Sequence, residues 1–139
     1  MAGFMIWLYG NLVAWASYRL KLTTLSSCMS EWCAATRATT MTISLRDVAG
    51  FMEVGNPHAT VLFCDNMSAC MLSEGNKTAK PLKHIATRLC YLREAVEDGH
   101  VQLYHLKTNA MIADIFTKPL PSAQFHYLRR LVMGTQGEG

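Results

Sequence analysis

Three acidic residues stand where carboxylates could do chemistry. Asp65 directly follows the apolar run Thr60-Val61-Leu62-Phe63-Cys64, Asp114 is embedded between Ile112-Ala113 and Ile115-Phe116, and Glu31 is the only acid between Met1 and Arg46. A carboxylate set in apolar sequence is costly to take out of water unless a cation or hydrogen-bond donors receive it. Three carboxylates converging from separate elements would suit a hard divalent cation such as Mg²⁺, which prefers oxygen ligands. Two such ions about 4 Å apart would activate a water and stabilise the leaving oxygen of a phosphodiester. Taken singly, each residue has a plainer reading. Asp65 could cap a helix beginning at Asn66, Glu31 could be a surface glutamate, and Asp114 a solvated position on a short helix. His105 ends an apolar strand-like run, where a lone histidine is commonly a rim or core residue.

Basic residues form a second feature. No charged residue precedes Arg19, whereas Lys77, Lys80, Lys83, Arg88 and Arg93 crowd together. Lys77, Lys80, Lys83, His84 and Arg88 could contact phosphates, which positions a nucleic acid without reading its sequence. The plainer reading makes Lys77 and Lys80 loop solvation and pairs Arg93 with Glu97 along one helix.

These residues need elements to hold them. Phe4 to Tyr9 and Leu12 to Trp15 are apolar runs joined by Gly10-Asn11, which fits a β-hairpin. After Ser26 and Ser27, possible N-caps, a helix is expected from Met29 to about Thr40, weakened by Thr39, Thr40 and Thr42, and a second helical piece from Ile43 to Met52 either continues or follows it. Gly55-Asn56-Pro57 stops it. Thr60 to Cys64 reads as a buried strand, a short helix runs from Asp65 to Leu72, and Glu74 to Pro81 is a loop. Leu82, Ile85, Leu89, Leu92 and Val96 mark one apolar helix face, closed by Gly99. Val101 to Leu106 is the next strand and Ala110 to Phe116 a short helix. Ser122 starts a last helix with Phe125, Leu128 and Val132 inward. Strands alternating with helices after a hairpin indicate an α/β sheet with helices on its faces.

The chain has 139 residues, half of them hydrophobic and 17% charged, which argues for one globular domain rather than disorder. Its net charge of +3 permits a polyanionic partner without requiring one. Five cysteines without a CxxC pair read as reduced thiols, those at 33, 64 and 90 lying in apolar runs; this suits a cytosolic or nuclear compartment. The uncharged start, Met1 to Tyr18, lacks the leading basic residue of a secretory signal. Gly10-Asn11 breaks it below the length of about 20 apolar residues that a membrane span needs. An exported or membrane-anchored small protein is the alternative this segment leaves open.

Asp65-Asn66-Met67-Ser68-Ala69, Lys83-His84-Ile85 with Arg88, and above all Ala113-Asp114-Ile115-Phe116-Thr117-Lys118-Pro119-Leu120 resemble the ribonuclease H domain at the C-terminal end of Ty1/copia-type retrotransposon polyproteins. Leu12 to Ser17 is similar to that family's "xxSWxS" strand, and Leu25-Ser26-Ser27 with Glu31-Trp32 to its "LSSTEAEY" helix start. The resemblance covers residues 3 to 134, with 135 to 139 a frayed tail. It implies an RNase H-like mixed sheet flanked by helices and Mg²⁺-dependent endonucleolytic cleavage of RNA in RNA/DNA hybrids, alongside the reverse transcriptase of a parent polyprotein. By position it makes Glu31, Asp65 and Asp114 the two-ion metal ligands and His105 a proton-transfer or product-release residue.

Departures from the pattern bear on activity. The family's first Asp lies on a first strand, in a "DADWAG"-like stretch ahead of the Gly3-Phe4 equivalent, which these residues do not include. Met29 replaces the first Glu of "TEAEY", Ala86 the Asp of "KHID", and Ala110-Met111 the polar pair before the final "LAD". The expectation is a fold lacking the first strand, with an incomplete metal site and impaired cleavage. A non-catalytic nucleic-acid-binding or interaction remnant is the alternative.

Overall fold

The computed structural model describes residues 1–20, 27–65 and 83–134. Strands β1 (Ala2–Leu8) and β2 (Asn11–Tyr18) pair antiparallel, from Ala2 opposite Tyr18 to Leu8 opposite Asn11, with a register shift between Ile6 and Trp7. The expected hairpin is present, but its turn is Tyr9-Gly10 rather than Gly10-Asn11. Both turn residues have positive φ, 50° and 79°, which matches the twist of the flanking strands and suits glycine at the second position. The Tyr9 hydroxyl donates to the Val54 carbonyl. Asn11 instead begins β2, and its Nδ2 donates to the Tyr9 carbonyl at 3.1 Å.

The second helical piece continues the first, giving one helix, α1 (Ser27–Phe51). Three of its hydroxyl residues bond back within the helix, whereas the buried Thr39 Oγ1 has no hydrogen-bond partner among the described residues. Thr36, Thr40 and Ser44 donate to the carbonyls of Trp32, Thr36 and Thr40 at 2.8, 3.0 and 3.2 Å, so they do not draw the backbone into a turn. Thr39 and Thr42 are buried. Packing of α1 against β1, β3 and the next helix overrides the weak intrinsic propensity of the threonines.

β3 (Thr60–Cys64) and β4 (Val101–His105) are parallel, with Thr60 opposite Val101 and Cys64 opposite His105. A parallel pair requires a crossover, here made by α2 (Lys83–Glu97). Gly99, at φ 73°, ends it as anticipated, and the His100 N–H reaches back to the Ala95 carbonyl at 3.0 Å. Leu89, Leu92 and Ala95 of α2 form the core with Val101 and Leu103 of β4, Cys64 of β3, and Trp32 and Ala35 of α1.

After β4 come two 3-10 turns, Thr108–Ala110 and Ile112–Phe116, where one short helix was expected. α3 (Ser122–Met133) then packs on the second turn through the buried Leu128. Phe125 does not face inward; it is 40% exposed because α3 meets its neighbour along a narrow stripe. Among the cysteines, Cys33 and Cys64 are buried thiols, while Cys90 is exposed on the outer side of α2. The expected helix to Leu72, the loop from Glu74 to Pro81 and the tail after Gly134 lie outside the described residues.

The architecture is mixed α/β, as anticipated, and is compatible with an RNase H-like fold. Among the described residues its strands form two separate pairs, β1 with β2 and β3 with β4. β1 and β3 are each paired along one edge only. Both border a cleft of about 420 Å³ that Ile6, Leu8, Thr42, Arg46, Thr60 and His100 help to line. Arg46 ties this end together, donating to the His58 carbonyl at 2.7 Å and to Thr60 Oγ1 at 3.1 Å.

Candidate functional site

The carboxylates meet at the opposite end of β3 from that cleft, roughly 16 Å away for five residues of strand at about 3.3 Å each. Asp65 follows the last residue of β3, at the carboxyl end of a parallel strand, where α/β folds commonly place their sites. The parallel register puts His105 at the same end, opposite Cys64, and the Leu106 N–H donates to the Cys64 carbonyl at 2.8 Å.

Asp114 arrives from the second 3-10 turn. It is 7% exposed, so it is not the solvated position that its local sequence allowed. Its carbonyl accepts the N–H groups of Thr117 and Lys118, both at 3.1 Å. That closure carries Lys118 back over the carboxylate. Lys118 Nζ lies 2.9 Å from Asp114 Oδ2 and 4.0 Å from Asp65 Oδ2, so one ammonium bridges the two acids.

The hairpin fixes where this turn sits. Ser17 Oγ donates to the Phe116 carbonyl at 2.7 Å. A Cβ built on Gly3 would come within 2.8 Å of the Ala16 carbonyl oxygen, 3.0 Å of Thr117 Cγ2 and 3.3 Å of Phe116 Cβ. Glycine at position 3 is therefore what lets residues 116 and 117 lie directly on β1.

The other expected residues are placed as follows. Glu31 is half-buried on the first turns of α1, with its Oε2 enclosed by protein. Among the described residues, no group of three or more His, Cys, Asp or Glu side chains is arranged to hold a metal ion. Asp65 and Asp114 are brought together through Lys118, and among the described residues no third carboxylate completes a metal-holding group with them. The donor set therefore does not fit a pair of divalent ions in this arrangement, and a lysine ammonium stands in the cation position. His105 is exposed at the end of β4, and no hydrogen bond or ion pair joins it to either carboxylate among the described residues.

Of the basic stripe, Lys77 and Lys80 lie outside the described residues, and Lys83 and His84 open α2. Arg88 is exposed, but its guanidinium donates to the sulfur of Cys33. It belongs to a cluster joining α1, α2 and β2. There the Arg37 guanidinium stacks 4.2 Å over the Tyr18 ring, and the Tyr18 hydroxyl donates to the Cys33 carbonyl at 3.2 Å. Burial raises the Tyr18 hydroxyl above its usual 10.0, with the charge of Arg37 opposing. Sequence reasoning assigned no role to Lys118, although its spacing from Asp114 is that of an i, i+4 ion pair. Gly3 and Ser17 left no comparable signal, because their partners lie at the other end of the chain.

Comparison with known proteins gives this geometry a context. Over 131 residues, 94% of its length, the chain is 30% identical to a retrovirus-related Pol polyprotein from transposon TNT 1-94 of Nicotiana tabacum. It is 25% and 24% identical to those from transposons RE2 and RE1 of Arabidopsis thaliana, over 94% and 88% of its length. Its homologues are thus Pol polyproteins of plant retrotransposons. The chain spans about one tenth of the length of these relatives, 10%, 9% and 8% respectively. No family model and no solved structure matches it.

Proposed function

We propose that the chain is the RNase H-like segment of a Ty1/copia-type Pol polyprotein and engages RNA/DNA hybrids, with cleavage of the RNA strand impaired. One observation carries the reading: Asp65, at the carboxyl end of a parallel strand, and the buried Asp114, from the Ala-Asp-Ile-Phe-Thr-Lys-Pro-Leu segment, share one cation. Two carboxylates from separate elements, desolvated at one end of an α/β fold, form a costly arrangement, and it coincides with the acidic set that the resemblance implies. Lys83 and His84 at the start of α2 supply charge for hybrid phosphates, and a reverse transcriptase of the same polyprotein is the natural protein partner. No hydrolytic step is assigned to a metal pair, since no group of three metal-holding side chains forms among the described residues and Lys118 pairs with both acids.

The test is a labelled RNA/DNA hybrid incubated with the 139-residue chain and Mg²⁺ or Mn²⁺, beside Asp65→Asn. Slow cleavage that Asp65→Asn abolishes is the expected result. Cleavage equal in both proteins, or neither cleavage nor hybrid binding, overturns the reading.

The lysine bridge favours a second reading, a remnant that binds nucleic acid without cutting it. Binding should then weaken steeply with salt as counterions are released and should survive Asp114→Asn, with no cleavage at any metal concentration. As for the exported or membrane-anchored alternative, no helix among the described residues is long and apolar enough to cross a membrane.

A further inference from the structure

We propose that Arg37 of α1 and Arg88 of α2 form a paired guanidinium anchor, ordered around Tyr18, that takes the backbone phosphates of a nucleic acid. The inference rests on the proposed engagement of RNA/DNA hybrids and adds a binding site for them away from the carboxylates. One chain of contacts joins the two arginines. The Arg37 guanidinium stacks 4.2 Å over the Tyr18 ring, the Tyr18 hydroxyl donates to the Cys33 carbonyl at 3.2 Å, and the Arg88 guanidinium donates to the Cys33 sulfur. Burial raises the Tyr18 hydroxyl, and the charges of Arg37 and Arg88 both oppose it, so both cations lie within electrostatic reach of one phenol.

What holds these guanidiniums does not neutralise them. Both arginines are exposed, and among the described residues no carboxylate forms an ion pair with either. An aromatic face and a sulfur fix the position of a guanidinium while leaving its charge, and most of its N–H donors, for another acceptor. A planar fork held in this way matches the oxygens of a phosphate, and holding it in advance removes part of the ordering cost of binding. The anchor also stands at the same end of the hairpin as the acids. Ser17 and Tyr18 are consecutive on β2 and so point to opposite faces. Ser17 holds the Phe116 carbonyl of the turn that carries Asp114, whereas Tyr18 meets α1. The guanidiniums therefore sit on the helix side of that end.

Fluorescence anisotropy of a labelled RNA/DNA hybrid, titrated with the full chain over a salt series without divalent metal, reads phosphate contacts as the slope of log affinity against log salt. Arg37→Gln and Arg88→Gln should each make that slope shallower by about one, with binding about five- to tenfold weaker near 0.1 M salt. Arg130→Gln removes the same charge from the last turn of α3 and should leave the slope unchanged. An unchanged slope in either of the first two variants, or an equal fall with Arg130→Gln, overturns the anchor while leaving hybrid binding standing. No hybrid binding by the unsubstituted chain overturns the engagement of hybrids, and the anchor with it. Circular dichroism checks folding. Where a variant does not fold, phenylglyoxal modification of the unsubstituted chain takes its place: bound hybrid should protect Arg37 and Arg88 but not Arg130, and equal modification with and without hybrid overturns the anchor.

Discussion

Asp114 organises the turn that follows it. It is buried, its carbonyl nucleates the turn, and its side chain anchors Lys118. Asp114→Asn removes a charge-assisted bond to a half-exposed lysine, so the loss in metal-free stability should be about 1 kcal/mol, softened by solvent screening. Urea denaturation would measure it, and an unchanged midpoint would contradict the bridge. Tyr18 makes a separate, pH-dependent contribution. Burial raises its hydroxyl above 10.0, so the folded chain keeps a proton that the unfolded chain releases. The stabilisation is complete below pH 10.0 and is lost as pH climbs through the raised folded value. Melting curves taken from pH 9 upward should therefore decline less steeply for Tyr18→Phe. That variant should also lose about 1 kcal/mol at neutral pH with the hydroxyl's bond to the Cys33 carbonyl.

The hairpin and the 112–116 turn meet through close backbone approach. The hairpin holds the 112–116 turn by one hydroxyl and one missing Cβ, at Ser17 and Gly3. Gly3→Val should cost about 1 to 3 kcal/mol, because the new side chain must displace either β2 or the turn. Ser17→Ala should cost about 1 kcal/mol. Both variants should also raise amide exchange at Thr117 and Lys118 while sparing α2, and uniform exchange across the chain would argue against local docking. α1 teaches a related point. A run of threonines predicts a weakened helix, yet Thr36 and Thr40 bond back within it and Thr39 is fully enclosed. The buried environment settled what local preference left open.

At the scale of the molecule, the four strands among the described residues carry exposed apolar side chains. Helices α1 and α2 cover the inner faces. On the outer side Trp15 is 60% exposed and Phe63 56%, with Val13, Val61 and Tyr104 also open. Together with the singly paired edges of β1 and β3, this surface favours association between chains. Trp15→Thr with Phe63→Thr should lower the apparent mass at high concentration in sedimentation, with little change in melting temperature. A monomer at all concentrations, for the unsubstituted chain, would contradict this.

Much of this organisation was legible in the residues. The hairpin, β3, α2 with its Gly99 stop, β4 and the terminal helix all announce themselves through local patterns: apolar alternation, 3.6-residue periodicity and turn dipeptides. The sequence by itself also marks Asp65 and Asp114 as unusual carboxylates, because one ends and the other interrupts an apolar run. Only the tertiary structure decided that these two meet, that Glu31 does not complete a metal-holding group with them, that Arg88 turns to Cys33, and that Lys118 fills the space between the acids. The physical reason is range. Periodicity and capping act over a few neighbouring residues, whereas the position of a carboxylate is set by contacts such as Ser17 with Phe116, which join opposite ends of the chain and leave no trace in local spacing.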